Sequence, residues 1–353
     1  MDGPVRELRD VALSDRTTFG LGGPAARLLE VDTAEDLVRA VTEVDASGEP
    51  LLVLGGGSNL VVADAGFAGT VVAVRTRGFE VFADGDRADV EIAAGEPWDE
   101  AVARCVAEGL AGVECLSGIP GLVGATPMQN VGAYGQDVSQ TVVRVRVLDR
   151  EAGLERDLDR DACAFGYRTS ALKGSSRYVV LSVRLRLRRS RLASGLRYAE
   201  LERALGADEA PLATVRDVVI ALRRAKGMVV DPADADTRSA GSFFVNPVLT
   251  AEAHAALCAR VERLTPGAAP ASFPESDGRV KVSAGWLIER AGFAKGHAHG
   301  GCSVSTKHAL ALTNRGQGTT ADLVALAREI RAGVRATFGV ELVPEPVLVG
   351  VAL

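Results

Sequence analysis

The alternation of apolar and polar positions divides the chain into stretches of different texture. Residues 16–77 predict short α and β units. Thr33-Ala-Glu-Asp36 forms a capping box ahead of Leu37, Val38, Val41 and Val44, and Gly48 closes that helix. Apolar runs at Leu51–Leu54, Leu60–Val62 and Val71–Val74 read as strands. From 78 to 225 the pattern is strand-rich around one helix, Trp98–Glu108. Val143–Val147 and Val179–Arg188 alternate, with Val and Leu on one face and Arg184, Arg186 and Arg188 on the other. Such an arginine ladder predicts the wet face of a sheet. A second capping box, Thr214-Val-Arg-Asp217, predicts a helix running to Lys226-Gly227, and the polar stretch Asp231–Arg238 marks a boundary. Beyond it, helices are expected at 251–264, at 284–291 and from Thr319 or Thr320 to Phe338. The last carries Leu323, Val324, Ala327, Ile330, Val334 and Phe338 along one face. The texture is α+β, with no internal repeat.

Composition narrows the function classes. At 353 residues the chain is long enough for two or three domains, and 47% hydrophobic with 24% charged residues is a folding composition. Forty basic against 46 acidic residues give −6, without a basic block, which argues against nucleic acid or an anionic membrane surface as partner. The longest uncharged stretch, Cys115–Gln136, holds five glycines and two prolines in 22 residues, so it reads as structured loop and not as a membrane span. Residues 1–15 are polar and carry no apolar run of a secretory signal. The cysteines at 105, 115, 163, 258 and 302 form no CxxC pair. A cytoplasmic location with reduced thiols is therefore expected. Only five lysines are present (173, 226, 281, 295 and 307), a bias that a GC-rich genome explains.

Glycine makes up 39 residues, above the ~7% usual, and it is clustered. Gly20-Leu-Gly22-Gly-Pro-Ala25 matches G-x-G-x-x-A, but no strand is expected before it and Pro24 interrupts any following helix; position 40 is Ala where a ribose-binding acid belongs. Gly55-Gly-Gly-Ser-Asn59 follows an apolar strand without the G-K-[ST] ending of a P-loop. Consecutive glycines there admit close approach of a ligand and point N–H groups at an anion, although a tight hairpin explains them equally well. Ser117–Gly135 combines five glycines with Ile, Leu, Val and Met. A glycine-lined wall against a flat or phosphate-bearing ligand accounts for both features, and makes a pyrophosphate-bearing cofactor the leading idea.

Arg16-Thr-Thr-Phe-Gly20, Leu54–Leu60 and the 117–135 segment resemble, in order, the FAD-binding half of the UDP-N-acetylenolpyruvoylglucosamine reductase family. The resemblance continues through Phe165-Gly-Tyr-Arg-Thr-Ser170, Arg223–Gly227, Ala240–Pro247, Lys281–Ile288 and Val343-Pro-Glu-Pro346. It implies an α+β fold with a two-part FAD-binding region of the vanillyl-alcohol-oxidase (PCMH) type and a C-terminal α+β substrate domain. The expected divisions are 1–77, with 344–353 a candidate to return to it, then 78–227 and 228–343.

The family uses NADPH, through non-covalent FAD, to reduce the enolpyruvyl ether of a UDP-sugar in peptidoglycan precursor synthesis. Carried over by motif, Arg168 and Glu345 stabilise the intermediate and Ser242 donates the proton. A bare carboxylate would repel that intermediate, so a protonated Glu345 with a raised pKa is expected. Flavin contacts are implied at Thr18, Gly20, Gly55, Gly56, Gly57, Ser58 and Asn59. They continue through Ser117, Gly118, Ile119, Pro120, Gly121, Gly124, Ala125, Gln129, Asn130, Gly132, Ala133, Tyr134 and Gly135. Substrate contacts are implied at Tyr198, Arg223, Lys226, Asn246 and Lys281, with Tyr198 on a loop that covers the UDP group in one subtype. Ala199 and Glu200 depart from that loop's pattern. A monomer is expected.

Three other readings compete. An alcohol oxidase or dehydrogenase on the same scaffold would often bind flavin covalently through histidine, but His254, His297, His299 and His308 all lie in the last hundred residues. A metal site from His297-x-His299-x₂-Cys302 lacks the usual zinc spacings. A non-catalytic binding module would be colourless, whereas a flavoprotein is yellow and bleaches with NADPH.

Overall fold

Thr33 accepts the Asp36 N–H at 3.0 Å and Gly48 takes a left-handed φ of 71°, so helix α1 (Ala34–Ser47) spans what its caps dictate. Leu37, Ala40, Val41 and Val44 form its buried face. The computed structural model describes residues 5–353. Within it the chain forms two units, crossing between them after Ala12, Gly23, Ser58, Gly66 and Ala225.

The first unit gathers the described residues through Ala12, then Pro24–Ser58 and Phe67–Ala225. Its smaller sheet runs β1 (Arg6–Ala12), β2 (Pro24–Val31), β5 (Phe67–Val74), β3 (Leu51–Leu54). β1 is antiparallel to β2, while β2 and β3 both lie parallel to β5. A strand therefore does precede the Gly20 motif, but a strand beginning at Pro24 follows it, which removes the dinucleotide-fold context. The larger sheet runs Leu154–Asp159, Val142–Asp149, Tyr178–Arg189, β7 (Arg87–Ala93), β6 (Phe79–Asp84), with Leu110–Ala111 also on Tyr178–Arg189. Arg184 stands opposite Glu91 and Arg186 opposite Asp89, bonded at 2.5 and 2.7 Å, while Val183, Leu185 and Leu187 are buried on the other face. The arginine ladder is thus the ion-paired outer face of a sheet.

α2 (Trp98–Ala107) falls where expected, and α3 (Ala199–Leu205) is an additional helix. α4 (Leu212–Ala225) begins two residues before the capping box that was expected to open it, leaving Thr214 in its first turn. The reason is tertiary: Glu209–Pro211 pairs with Leu192–Ser194 and the Leu212 N–H donates to Arg191 O, so the sheet edge sets the start.

At the end of Val142–Asp149, the Asp149 carboxylate takes two hydrogen bonds from Arg177 at 2.9 and 2.6 Å, and these hold its pKa down at about 2. An unfolded Asp titrates near ~3.9, so this stabilisation is fully present above pH ~4 and lost as pH falls toward the folded value. Asp149→Asn is expected to flatten the dependence of Tm on pH between about 4 and 2. A Tm profile parallel to that of the wild type would exclude the linkage.

The second unit comprises Leu13–Gly23, Asn59–Gly66 and Lys226–Leu353. β4 (Leu60–Val62) pairs in parallel with Val347–Val349. Two three-stranded antiparallel sheets, Val248–Leu249 with Val280–Val282 and Ser272–Pro274, and Ala298–His299 with Cys302–Val304 and Leu312–Asn314, accompany α5 (Ala251–Leu264), α6 (Ala284–Arg290) and α7 (Thr320–Phe338). α7 opens on a Thr319/Asp322 capping box, and the Asp64 carboxylate accepts the Thr320 and Ala321 N–H groups at 2.8 and 2.9 Å. A carboxylate is favoured at that positive end of the helix. The six apolar residues expected on its inner face are all buried. Among the described residues, no helix is long and apolar enough to cross a membrane.

Candidate active site

In the first unit the two long glycine motifs lie against each other. A Cβ added at Gly56 would sit 2.8 Å from Gly121 Cα, and Ser58 Oγ donates to Pro120 O at 3.2 Å. Gly121 has φ +113°, and a Cβ at Gly124 would fall 2.6 Å from that of Ala94. Main chain at Gly56, a positive φ and the Ser58 side chain at Gly121, and Ala94 at Gly124 account for these glycines. Gly55 and Gly56 are exposed, and a Cβ at Gly55 would meet no atom nearer than 3.8 Å, so that face of the turn stays open. Gly57 follows with φ +59°, and Ser58, Ile119 and Pro120 are half-buried.

The rest of the wall is fixed from behind. Ser117 Oγ donates to Glu114 O at 2.7 Å, and the Gly118 N–H to Asp99 Oδ1 at 2.5 Å. Asp99 is gripped in turn by Arg216 of α4 at 2.6 and 2.8 Å. Asn130 donates to Gly166 O and accepts from Ser139. Gly132-Ala133 pairs with Gln136-Asp137, with Gly135 in the intervening turn. Ala125 is exposed and Gln129 half-buried.

Five non-glycine residues have positive φ among those described, and three are predicted site residues: Asn130 at 47°, Tyr134 at 50° and Arg168 at 54°. That conformation costs about 1–2 kcal/mol each, a cost that clusters at functional sites. The Arg168 guanidinium donates to Gly132 O at 2.6 Å and Asn130 O at 3.3 Å, orienting its fork beside the wall. Tyr198, at the N-cap of α3, meets Tyr134 edge to face at 5.4 Å. Burial pushes the Tyr134 phenol up to about 12 and the Arg223 guanidinium on α4 down to about 10; each partly offsets the shift of the other.

In the second unit, the segment that follows Ser242 pairs through its main chain with the segment that carries Glu345. The Glu345 N–H donates to Phe243 O at 2.9 Å, the Val245 N–H to Val343 O at 3.0 Å, and Phe244 bridges Pro344. Asn59 clamps the 345–347 segment, its Nδ2 donating to Glu345 O at 3.3 Å and its main-chain carbonyl accepting the Val347 N–H at 3.0 Å. Thr18 Oγ1 donates to Ser239 O at 2.6 Å, and Gly20 turns with φ +65°. Asn246 Oδ1 accepts the Ala284 N–H at 2.9 Å at the start of α6, Lys281 pairs with Glu275 at 2.6 Å, and Lys226 is half-buried. His297 and His299 both face Glu329 of α7, at 3.0 and 3.4 Å, and Cys302 is buried.

Sequence reasoning missed Asp99, Arg216 and Asn314, the last of which donates from Nδ2 to Phe19 O at 2.9 Å beside Gly20. The acidic first turn of α2 contains Asp99, but nothing in the local pattern marks the other two.

The open backbone turn, the glycine wall behind it and the strained polar residues beside it fit FAD. A general FAD binding domain profile matches residues 25–158. Fold and site together define a flavoprotein oxidoreductase with an FAD-binding domain. The C-terminal domain profile of UDP-N-acetylenolpyruvoylglucosamine reductase matches residues 231–349. The chain belongs to the UDP-N-acetylenolpyruvoylglucosamine reductase family. It is 60% identical to the reductase of that name from Thermobifida fusca over 98% of both chains, and 56% identical to that of Streptomyces coelicolor over 99% of this chain and 92% of the other. The crystal structure of the Thermus caldophilus reductase superposes with a TM-score of 0.67 at 26% identity, over 98% of this chain and 99% of the other.

Proposed function

We propose that the protein uses NADPH to reduce the enolpyruvyl ether of UDP-N-acetylglucosamine to UDP-N-acetylmuramate, a cytoplasmic step of peptidoglycan precursor synthesis. The observation that carries this reading is the full-length match to the Thermobifida fusca reductase. The pairing of the Ser242 and Glu345 segments supports it.

The residues of the two glycine motifs, and separately Thr18, Gly20 and Asn59, are the proposed contacts for FAD, which when bound would supply hydride chemistry at the terminal vinyl carbon with NADPH as the reductant. As the C–H bond forms, the π pair moves to the adjoining carbon and its carboxylate. The always-charged fork of Arg168 suits that carboxylate, and a protonated Glu345 adds a hydrogen-bond donor. Ser242 Oγ then protonates the carbon that bears the ether oxygen. A serine hydroxyl is a weak acid, matched here to a strongly basic carbanion. Arg223, Lys226, Asn246 and Lys281 are assigned to the nucleotide end, where Lys serves as a compact charge for phosphate.

An anaerobic titration tests the reading: NADPH should bleach the flavin absorbance, and the enolpyruvyl nucleotide should restore it. Flavin that stays reduced after that addition overturns it. Tyr198 covers the substrate in this account, so Tyr198→Ala is expected to raise the substrate KM about tenfold while leaving the FAD Kd within twofold. An unchanged KM would remove Tyr198 from the substrate contacts.

A further inference from the structure

Asn314 ends the strand Leu312–Asn314 and is buried. Its Nδ2 donates to Phe19 O at 2.9 Å and to Gly20 O at 3.4 Å. Its Oδ1 accepts the N–H groups of Gly316 and Gly318 at 2.9 and 3.0 Å. Its own N–H donates to Arg238 O at 3.0 Å. One side chain and one main-chain amide thus join three segments of the second unit: the 17–21 turn, the approach to Ser242 and the 315–318 turn. The side chain must offer two donors on one side and an acceptor on the other, which a carboxylate or an apolar group cannot do.

The segments it joins are those that carry the proposed chemistry. Thr17 Oγ1 closes the turn onto both the N–H and the carbonyl of Leu21. Thr18, in the same turn, holds Ser239 O. Ser239 Oγ accepts the Gly241 N–H at 3.2 Å, immediately before Ser242. A shift of the turn relative to Arg238 would therefore move Thr18 and the Ser242 segment together. The fit leaves little slack, because a Cβ at Gly318 would lie 3.0 Å from Asn314 Oδ1.

We infer that Asn314 is a positioning residue that holds the Thr18 turn in register with the segment leading to Ser242, acting on flavin binding through the first and on proton delivery through the second. The kinetic part of this inference rests on the proposed reaction; the binding part rests on Thr18 and Gly20 as flavin contacts.

Asn314→Asp keeps the acceptor and removes both donors to the turn. It is expected to weaken FAD binding to the apoprotein about tenfold, the scale of losing the hydrogen bonds to Phe19 O and Gly20 O. At saturating FAD, reoxidation by the enolpyruvyl nucleotide should slow about tenfold with a larger solvent deuterium isotope effect, while reduction by NADPH stays within about twofold. If the Asp variant does not fold, Asn314→Gln, which keeps both chemistries but displaces them by one methylene, carries the same readouts. Unchanged FAD affinity, or equal slowing of both half-reactions, overturns the inference. Wild-type reduced flavin that the nucleotide does not reoxidise overturns the proposed reaction instead. The FAD affinity of the variant then still decides the role of Asn314: tenfold weakening supports it and unchanged affinity removes it.

Discussion

Ser242→Ala is expected to slow reoxidation of the reduced flavin by the enolpyruvyl substrate by about 10²–10⁴-fold, while reduction by NADPH stays within about threefold of the wild type. The substitution is mild for the fold. The main chain around Ser242 is held by its neighbours: Phe243 and Phe244 are buried, the Phe243 N–H donates to Leu310 O at 2.7 Å, and Phe243 O receives the Glu345 N–H. Removing one hydroxyl leaves those bonds in place. Stopped-flow absorbance of each half-reaction under anaerobic conditions makes the measurement. Equal loss in both halves would mean that Ser242 supports the site without donating the proton.

The second large effect is expected for Gly56→Ala. The new methyl must push Gly121 Cα away from 2.8 Å, against main chain that has no rotamer with which to yield. Separating the 55–58 turn from the 117–135 wall should cost about 1–3 kcal/mol of stability and weaken FAD binding at least about tenfold. Gly55→Ala is the control, since a Cβ there meets only the Leu122 side chain at 3.8 Å or more. Both values follow from thermal unfolding of the apoprotein and a fluorescence titration with FAD. If the two variants retain the same affinity, the two glycine motifs do not form one wall.

Legibility in the sequence followed the range of the forces involved. Caps and one-sided apolar faces act within a few residues, so α1 falls where its capping box places it and α7 where its apolar face does. The arginine ladder was readable as a wet sheet face, but its partners Asp89 and Glu91 were not, because strand pairing across ~95 positions leaves no local trace. The start of α4 was misplaced for the same reason: a distant strand edge, and not Thr214, sets it. The glycine clusters were readable as backbone close to a neighbour. That Gly56 and Gly121 exist partly for each other required coordinates. Asn314 lies in a short strand with an unremarkable neighbourhood, and its five hydrogen bonds reach three separate parts of the chain.

The pairing of Leu60–Val62 with Val347–Val349 has a bearing on how the protein is made. Asn59 and the Glu345 carbonyl it holds are separated by 286 positions. Loop-closure entropy delays contacts of such separation, and synthesis delivers the early partner long before the late one. The Leu60–Val62 strand must therefore wait, without this partner, until residues 347–349 have been synthesised. Glu345 lies just before Val347–Val349, so the proposed intermediate-stabilising group arrives together with that strand.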